Sequence, residues 1–320
     1  MLRSMYSGVS GMKNFQTKLD VIGNNIANVN TYGFKKGRVT YKDLINQQIA
    51  GASAATNNSS GMNAKQVGLG SALSSIDTIH TAGSNQTTGR TLDLALAGDG
   101  FFVVGTIKDL DAVGLDTKDE MKDNKIADGT PIDDAIDLHY TRSGNFYLDD
   151  KGYLVTSDGL YLIGKAGEKP EDENGEWGED VSESAGLIQV PLTAKSFNIG
   201  PDGKVSFVDA EGNLKVAGQI LVANFANEGG LEKVGGNLYK QSSNSGTLNT
   251  NEEDGVQVDE LSIPGQDGAA AIMAGMLEMS NVDLADEFTE MIVAQRGFQS
   301  NTKIITTSDE ILQELMNLKR

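Results

Sequence analysis

The chain has 320 residues, of which 38% are hydrophobic, enough material for one or two cores. Its formal net charge of -19 repels nucleic acid and anionic membrane surfaces, and it holds no apolar run of the roughly 18 residues that a membrane-spanning helix needs, so neither partner is expected. Cysteine is absent and His80 and His139 are the only imidazoles, which removes disulfides and thiolate sites and leaves little for histidine chemistry; no cofactor or metal is expected.

The first thirty residues repeat at seven. Met5, Met12, Leu19 and Ile26 form one row, with Leu2 and Val9 between them, and Phe15, Ile22 and Val29 form a second. The spacing predicts an amphipathic helix, weakened by Gly8, Gly11 and Gly23 at about 1 kcal/mol each relative to Ala. Met1 to Gly8 lacks the uninterrupted apolar stretch of a cleavable secretion signal. Signal logic alone keeps such a protein in the cytosol unless an export route reads something else. Next comes Asn24-Asn25-Ile26-Ala27-Asn28-Val29-Asn30-Thr31-Tyr32-Gly33-Phe34-Lys35-Lys36. Asn24 and Asn28 share a helical face, where a buried amide can fix register, although Asn also favours helix ends and turns for local reasons; Gly33 reads as the helix-ending residue. This long string resembles the N-terminal signature of the bacterial flagellar rod and hook proteins.

Residues from about Val39 to Arg90 are rich in Ala, Ser, Asn, Thr and Gly and cannot bury much by themselves, so 34–90 reads as an extended linker lying on something else. Gln66-Val67-Gly68-Leu69-Gly70 again resembles the family. The alternation of Leu92, Leu94 and Leu96, an Asp99-Gly100 turn and the run Phe101-Phe102-Val103-Val104 predict a hairpin that opens a sheet. An acidic stretch, about 106–137, then breaks the pattern. Its carboxylates do not fall at calcium-loop spacing, and it reads as a solvated surface insertion.

From Tyr140 short strands alternate with turns. Phe146-Tyr147-Leu148, Tyr153-Leu154-Val155 and Leu160 to Ile163 are separated by Asp150-Lys151-Gly152 and Asp158-Gly159, which predicts a β-meander. Thr141-Arg142-Ser143-Gly144-Asn145-Phe146, at its start, is another stretch similar to the rod and hook family. A second acidic insertion, about 165–186, holds Trp177; larger hook proteins carry an additional outer domain here, and too few residues remain for one. Strands resume at Phe197, Val205 and Gln219, with turns at Pro201-Asp202-Gly203 and Glu211-Gly212-Asn213. The later Gly-rich pieces, Gly229-Gly230 and Gly235-Gly236-Asn237, are followed by no Gly-Lys-Ser/Thr and read as turns rather than phosphate loops. Residues 262–280 form a second extended linker.

The last stretch organises the rest. Leu284, Met291, Phe298, Ile305 and Leu312 recur at seven, and Phe288, Gln295, Thr302, Asp309 and Met316 form a patchier companion row. A capping-box-like start at Ser280 to Asp283 and basic Lys319 and Arg320 at the far end favour one long helix, some 36 residues and about 54 Å at a rise of about 1.5 Å each. Two seams at opposite ends of a chain with a β-like middle are expected to pair. Five buried large side chains at about 1.5 to 3 kcal/mol each set against backbone entropy of about 1 to 2 kcal/mol per residue leave the pair marginal, so both helices are expected to fray in the free subunit and order against neighbouring copies.

The expected architecture is α+β and discontinuous: paired terminal helices forming a coiled coil (residues 1–33 and 281–320), linkers (34–90 and 262–280), and a mostly antiparallel β domain (91–261). The assembly interface is expected at Leu2, Met5, Val9, Met12, Phe15, Leu19, Ile22, Asn24, Asn25, Ile26, Asn28, Val29, Leu284, Phe288, Met291, Gln295, Phe298, Ile305, Leu312 and Met316. Gly297-Phe298, where a rod subunit would be expected to carry Ala-Tyr, and the ending Leu315 to Arg320 resemble the hook branch more than the distal rod. That resemblance implies a structural, non-enzymatic subunit exported without a cleaved signal by the flagellar export apparatus. It would self-assemble outside the cell into a curved, torque-transmitting tube, meeting rod, hook cap and hook-filament junction proteins; a distal rod subunit is the alternative. A monomeric scaffold or cap protein would share the helices without forming tubes. A polysaccharide-acting enzyme is disfavoured, because adjacent acids such as Asp149 and Asp150 on a strand point to opposite faces.

Overall fold

The run Phe101-Phe102-Val103-Val104 has no polar alternation, as befits a strand covered on both faces. In the computed structural model, which describes residues 2–52, 54, 60–108, 125–126, 131–168, 177–178, 180–246, 256–266 and 268–318, it does have a core on each side. The fold is α+β. The chain divides into two units: residues 1–29, 35–79 and 282–320 form the first, and residues 30–34 and 80–281 the second.

The first unit joins helix α1 (Leu2–Ala27) and helix α2 (Leu284–Leu318) with four strands, β1 (Gly37–Asp43), β2 (Asn46–Ala50), β3 (Lys65–Gly68) and β4 (Ser71–Thr78). β1 pairs antiparallel with β4 and β2 with β3. This corrects the expected linker over 34–90. Backbone hydrogen bonds between strands need no large apolar side chains, so a composition poor in them does not preclude pairing. The β1–β4 pair lies along α1: Asn14 donates to the Ser71 hydroxyl at 2.8 Å, and the Tyr41 hydroxyl donates to the Asn14 carbonyl at 3.1 Å. α2 starts at Leu284 rather than near Ser280, with the Asp283 carboxylate accepting the Ala285 N–H at 2.8 Å. Lys319 and Arg320 lie outside the described residues.

The second unit carries β5 (Asn85–Thr87), β6 (Leu94–Ala97), β7 (Phe101–Ile107), β8 (Ile136–Thr141), β9 (Tyr147–Leu148), β10 (Leu154–Val155), β11 (Tyr161–Gly167) and β12 (Val181–Leu187). It continues with β13 (Ser196–Ile199), β14 (Lys204–Val208), β15 (Leu214–Ile220), β16 (Val222–Ala223), β17 (Glu232–Gly235), β18 (Leu238–Lys240), β19 (Ala271–Ala274) and β20 (Met276–Glu278). An antiparallel sheet runs β13-β14-β15-β11-β7-β8-β18-β17, with β9, β10, β12 and β16 attached to it. Side chains alternate across it: Phe101, Val103, Ile163 and Leu221 join one buried cluster, while Phe102, Val104, Leu162 and Val222 join the other. The turn at Pro201-Asp202-Gly203 works because Gly203 takes φ +78°, a conformation other residues resist.

Four expectations in this unit are corrected. β6 does not fold back on β7; it pairs with β19, so the Leu92–Val104 hairpin is replaced by two strands that bury Leu94 and Phe102 in the same cluster. Residues 262–280 are likewise no free linker, since β20 also pairs with β5. The acidic insertions are narrower than composition suggested. Ile126, Ile132 and Ala135 are core residues, and Trp177 packs edge-on to Phe207 at 5.5 Å; residues 109–124, 127–130, 169–176 and 179 lie outside the described residues. Gly33 sits beyond the end of α1 at φ +67°, where a Cβ would lie 2.7 Å from the Arg142 backbone. It permits a close chain approach and does not cap the helix.

Candidate assembly surface

The heptad rows at the two ends meet within the first unit, and they run antiparallel. Gly8 lies against Ile305, Gly11 against Asn301 and Phe15 against Gly297; Lys18 pairs with Glu290 at 3.0 Å, and Asn25 donates to the Glu287 carboxylate at 3.2 Å. Moving forward along α1 therefore means moving backward along α2. Approach is close enough that a Cβ on Gly297 would fall 2.5 Å from the Phe15 ring, and one on Gly11 2.8 Å from the Asn301 amide. Glycines that weaken each helix by itself are the residues that let the pair close.

On α1 most of the expected seam is covered. Ile22 is buried, and Met5, Met12, Phe15, Leu19, Ile26 and Val29 are half-buried. Val9 is exposed, and the side chain of Leu2 lies outside the described residues. Among the asparagines the buried one is Asn25, not the expected pair. Asn25 donates to the Gly37 carbonyl and accepts the Gly37 N–H, both at 2.9 Å, besides its bond to Glu287. Asn24 is exposed, and Asn28 bonds back to the Asn24 carbonyl at 2.9 Å, closing the last turn of the helix.

On α2 one row is as expected and the other is displaced by one residue. Met291, Phe298, Ile305 and Leu312 are half-buried, as a seam against α1 requires, although Leu284 is exposed. The companion row that faces inward is Glu287, Ala294, Asn301 and Ser308, not Phe288, Gln295, Thr302, Asp309 and Met316. Phe288 is 49% exposed and Met316 71% exposed, and Gln295 is also exposed. The physical reason is the close approach just described: Asn301 fits against Gly11 and Glu287 bonds to Asn25, so small and polar side chains take the inward positions where larger ones would hold the helices apart. The small residues Ala294 and Ser308 at heptad spacing with Asn301 were the available signal, and a count of large apolar residues passes over it.

A second set of large apolar residues on α2 is left exposed. Ile292, Val293, Ile304, Ile311, Leu315 and Leu318 are all exposed, Leu318 at 82%. Spread over a 35-residue helix, they leave much more apolar surface than isolated exposed residues would. Charge on this unit includes the half-exposed Lys18–Glu290 pair; Glu290 also acts on Tyr41, whose phenol is pushed above its usual range first by burial and then by this carboxylate. Among the described residues no group of three or more His, Cys, Asp or Glu is placed to hold a metal, and no helix is long and apolar enough to cross a membrane.

Three family descriptions match the chain. Residues 5–35 match "Flagella basal body rod protein", residues 132–207 match "Flagellar hook protein FlgE/F/G D1 domain", and residues 273–318 match "Flagellar basal body rod FlgEFG protein C-terminal". The flagellar basal-body rod protein FlgG of Bacillus subtilis is 54% identical over 320 residues, covering all of both chains. In Borreliella burgdorferi, the rod protein FlgG is 33% identical over 322 positions and the hook protein FlgE is 30% identical over 452, again with both chains covered in full. The hook alignment thus needs many positions that a 320-residue chain cannot fill. The comparisons favour the rod over the hook, the reverse of the order drawn from Gly297-Phe298 and the C-terminal residues. Gly297 has a packing role of its own beneath Phe15. This chain belongs to the FlgE/F/G family of flagellar rod and hook proteins, structural components of the bacterial flagellum.

Proposed function

We propose that the chain is a rod subunit of the flagellar basal body, a non-enzymatic protein that polymerises with its own copies and with neighbouring axial proteins. The full-length match to a rod protein of the same length carries this reading. The outward apolar row of α2 supports the self-assembly part, because such a surface gains about 25 cal/mol per Å² when neighbouring subunits cover it. Export by the flagellar apparatus without a cleaved signal, and a position outside the cytoplasm, belong to the same proposal. The hook cap and hook-filament junction proteins, expected as partners of a hook subunit, have no place in it. Complementation tests the assignment. Expression in a Bacillus subtilis strain lacking its rod protein FlgG is expected to restore swimming and intact rods. Rescue of a strain lacking the hook protein, with none in the rod mutant, would overturn it.

A further inference from the structure

Two of the motifs singled out by resemblance meet at a polar cleft of about 230 Å³ within the second unit: Thr31-Tyr32 from the N-terminal signature and Thr141 to Asn145 from the start of the meander. The floor is tied together. Asn237, held at φ +61°, donates to the Tyr32 carbonyl at 3.0 Å and accepts at its own carbonyl from the Thr141 hydroxyl at 3.0 Å, and the Ser143 hydroxyl donates to the Asn145 side-chain oxygen at 2.6 Å. These bonds leave a set of polar groups unused. Among the described residues, no hydrogen bond or ion pair engages the Asp158 carboxylate, the Asn145 side-chain N–H groups, the Ser157 hydroxyl or the Tyr32 hydroxyl, all of which line the cleft.

We infer that this cleft is a binding site for a neutral sugar residue of an oligosaccharide. The unused groups comprise one strong acceptor, an amide donor, two hydroxyls and an aromatic ring. Adjacent hydroxyls of a pyranose can donate to Asp158 and accept from Asn145 and Ser157, while the ring's C–H face packs on Tyr32. An anionic ligand would meet the Asp158 carboxylate and a chain of net charge -19. A lone cation would match Asp158 alone and use none of the amide and hydroxyl groups beside it. The volume falls below the roughly 300 to 1,000 Å³ of pockets that enclose whole drug-sized ligands, so one ring enters and the rest of the glycan stays outside. Binding without cleavage is expected, because among the described residues Asp158 is the only carboxylate lining the cleft and glycoside hydrolysis uses two. The inference is independent of the choice between rod and hook.

The test titrates the ¹⁵N-labelled full-length chain with chitotetraose and with cellotetraose, with a tetralysine peptide and inorganic phosphate in parallel. The expected result is saturable shifts at the amides of Tyr32, Asn145, Asp158 and Asn237 with at least one of the two sugars. Asp158→Asn should weaken binding by roughly tenfold, the loss typical of a hydrogen bond to a charged group, and Ser157→Trp should abolish it by filling the mouth. Both substitutions are at exposed rim positions and leave the core untouched. Absence of shifts with both sugars, undiminished sugar binding by Asp158→Asn, or saturation by tetralysine alone would each overturn the inference.

Discussion

The two units cover their large apolar residues to different extents. In the second, phenylalanines, valines and leucines fill both sides of a sheet and glycines turn the chain at its edges. In the first, the contact between two long helices mixes Gly11, Gly297, Ala294 and Asn301 with the covered or half-covered Phe15, Ile22, Phe298 and Ile305, while other leucines and isoleucines and Phe288 of α2 are left exposed. A sheet covered on both faces is energetically complete within one chain. A helix pair that leaves many of its large apolar residues exposed gains stability to the extent that something else covers them.

The sharpest way to break the comparison is alkaline titration. Burial pushes the phenols of Tyr140, Tyr153 and Tyr239 well above their usual pKa; nearby carboxylates add to the effect at Tyr140, and at Tyr239 Arg142 opposes it while Glu278 and Glu228 add to it. Neutral phenol is therefore the form the folded unit prefers. The stabilisation it supplies is fully present below about pH 10 and is lost as pH rises beyond it. Absorbance at 295 nm should show these three ionising together with loss of near-ultraviolet dichroism, in one step, after the exposed tyrosines. Separate ionisation before unfolding would contradict their burial.

Next in size is the buried ion pair of the second unit. Arg142 reaches Glu278 at 3.4 Å and donates to the Gly98 carbonyl at 2.8 Å, both charged side chains being 1% exposed. Arg142→Met leaves a buried carboxylate without this partner and should cost about 3 to 5 kcal/mol, read as a lower denaturant midpoint for the sheet with the helical signal of α1 and α2 less affected. In the first unit, Gly297→Val forces a branched side chain against the Phe15 ring and should cost about 1 to 3 kcal/mol, seen as loss of helical dichroism at unchanged sheet stability.

Smallest in the free chain is Leu315→Ser, at an exposed position where substitutions stay within about 0.5 kcal/mol. Its effect should appear in light scattering of concentrated protein, as slowed or absent polymer growth. Equal polymerisation would remove the outward row of α2 from the assembly surface.

Much of this contrast was legible in the sequence, and the exceptions share one cause. The run Phe101 to Val104, the turn at Gly203 and the seven-residue spacing of Met291, Phe298, Ile305 and Leu312 each state their structure locally, through apolar content or backbone freedom. The inward placement of Ala294 and Ser308 was missed because hydrophobic periodicity assigns large side chains to the inside, and here the close approach of two backbones decides. The partner of β6 was missed for a different reason: Leu94 to Ala97 and Ala271 to Ala274 are distant in sequence, and the nearer Asp99-Gly100 turn offered a plausible local alternative. At the polar cleft the contributing motifs were visible, but their meeting depends on sheet order.

The antiparallel pairing of α1 with α2 also imposes a timetable. One helix is among the earliest segments of this sequence to leave the ribosome and the other among the last, with the whole β unit made in between. The sheet can fold while α1 is still waiting. Until α2 arrives, no chain can present the finished helix pair, so that surface is the last part of the molecule to be completed.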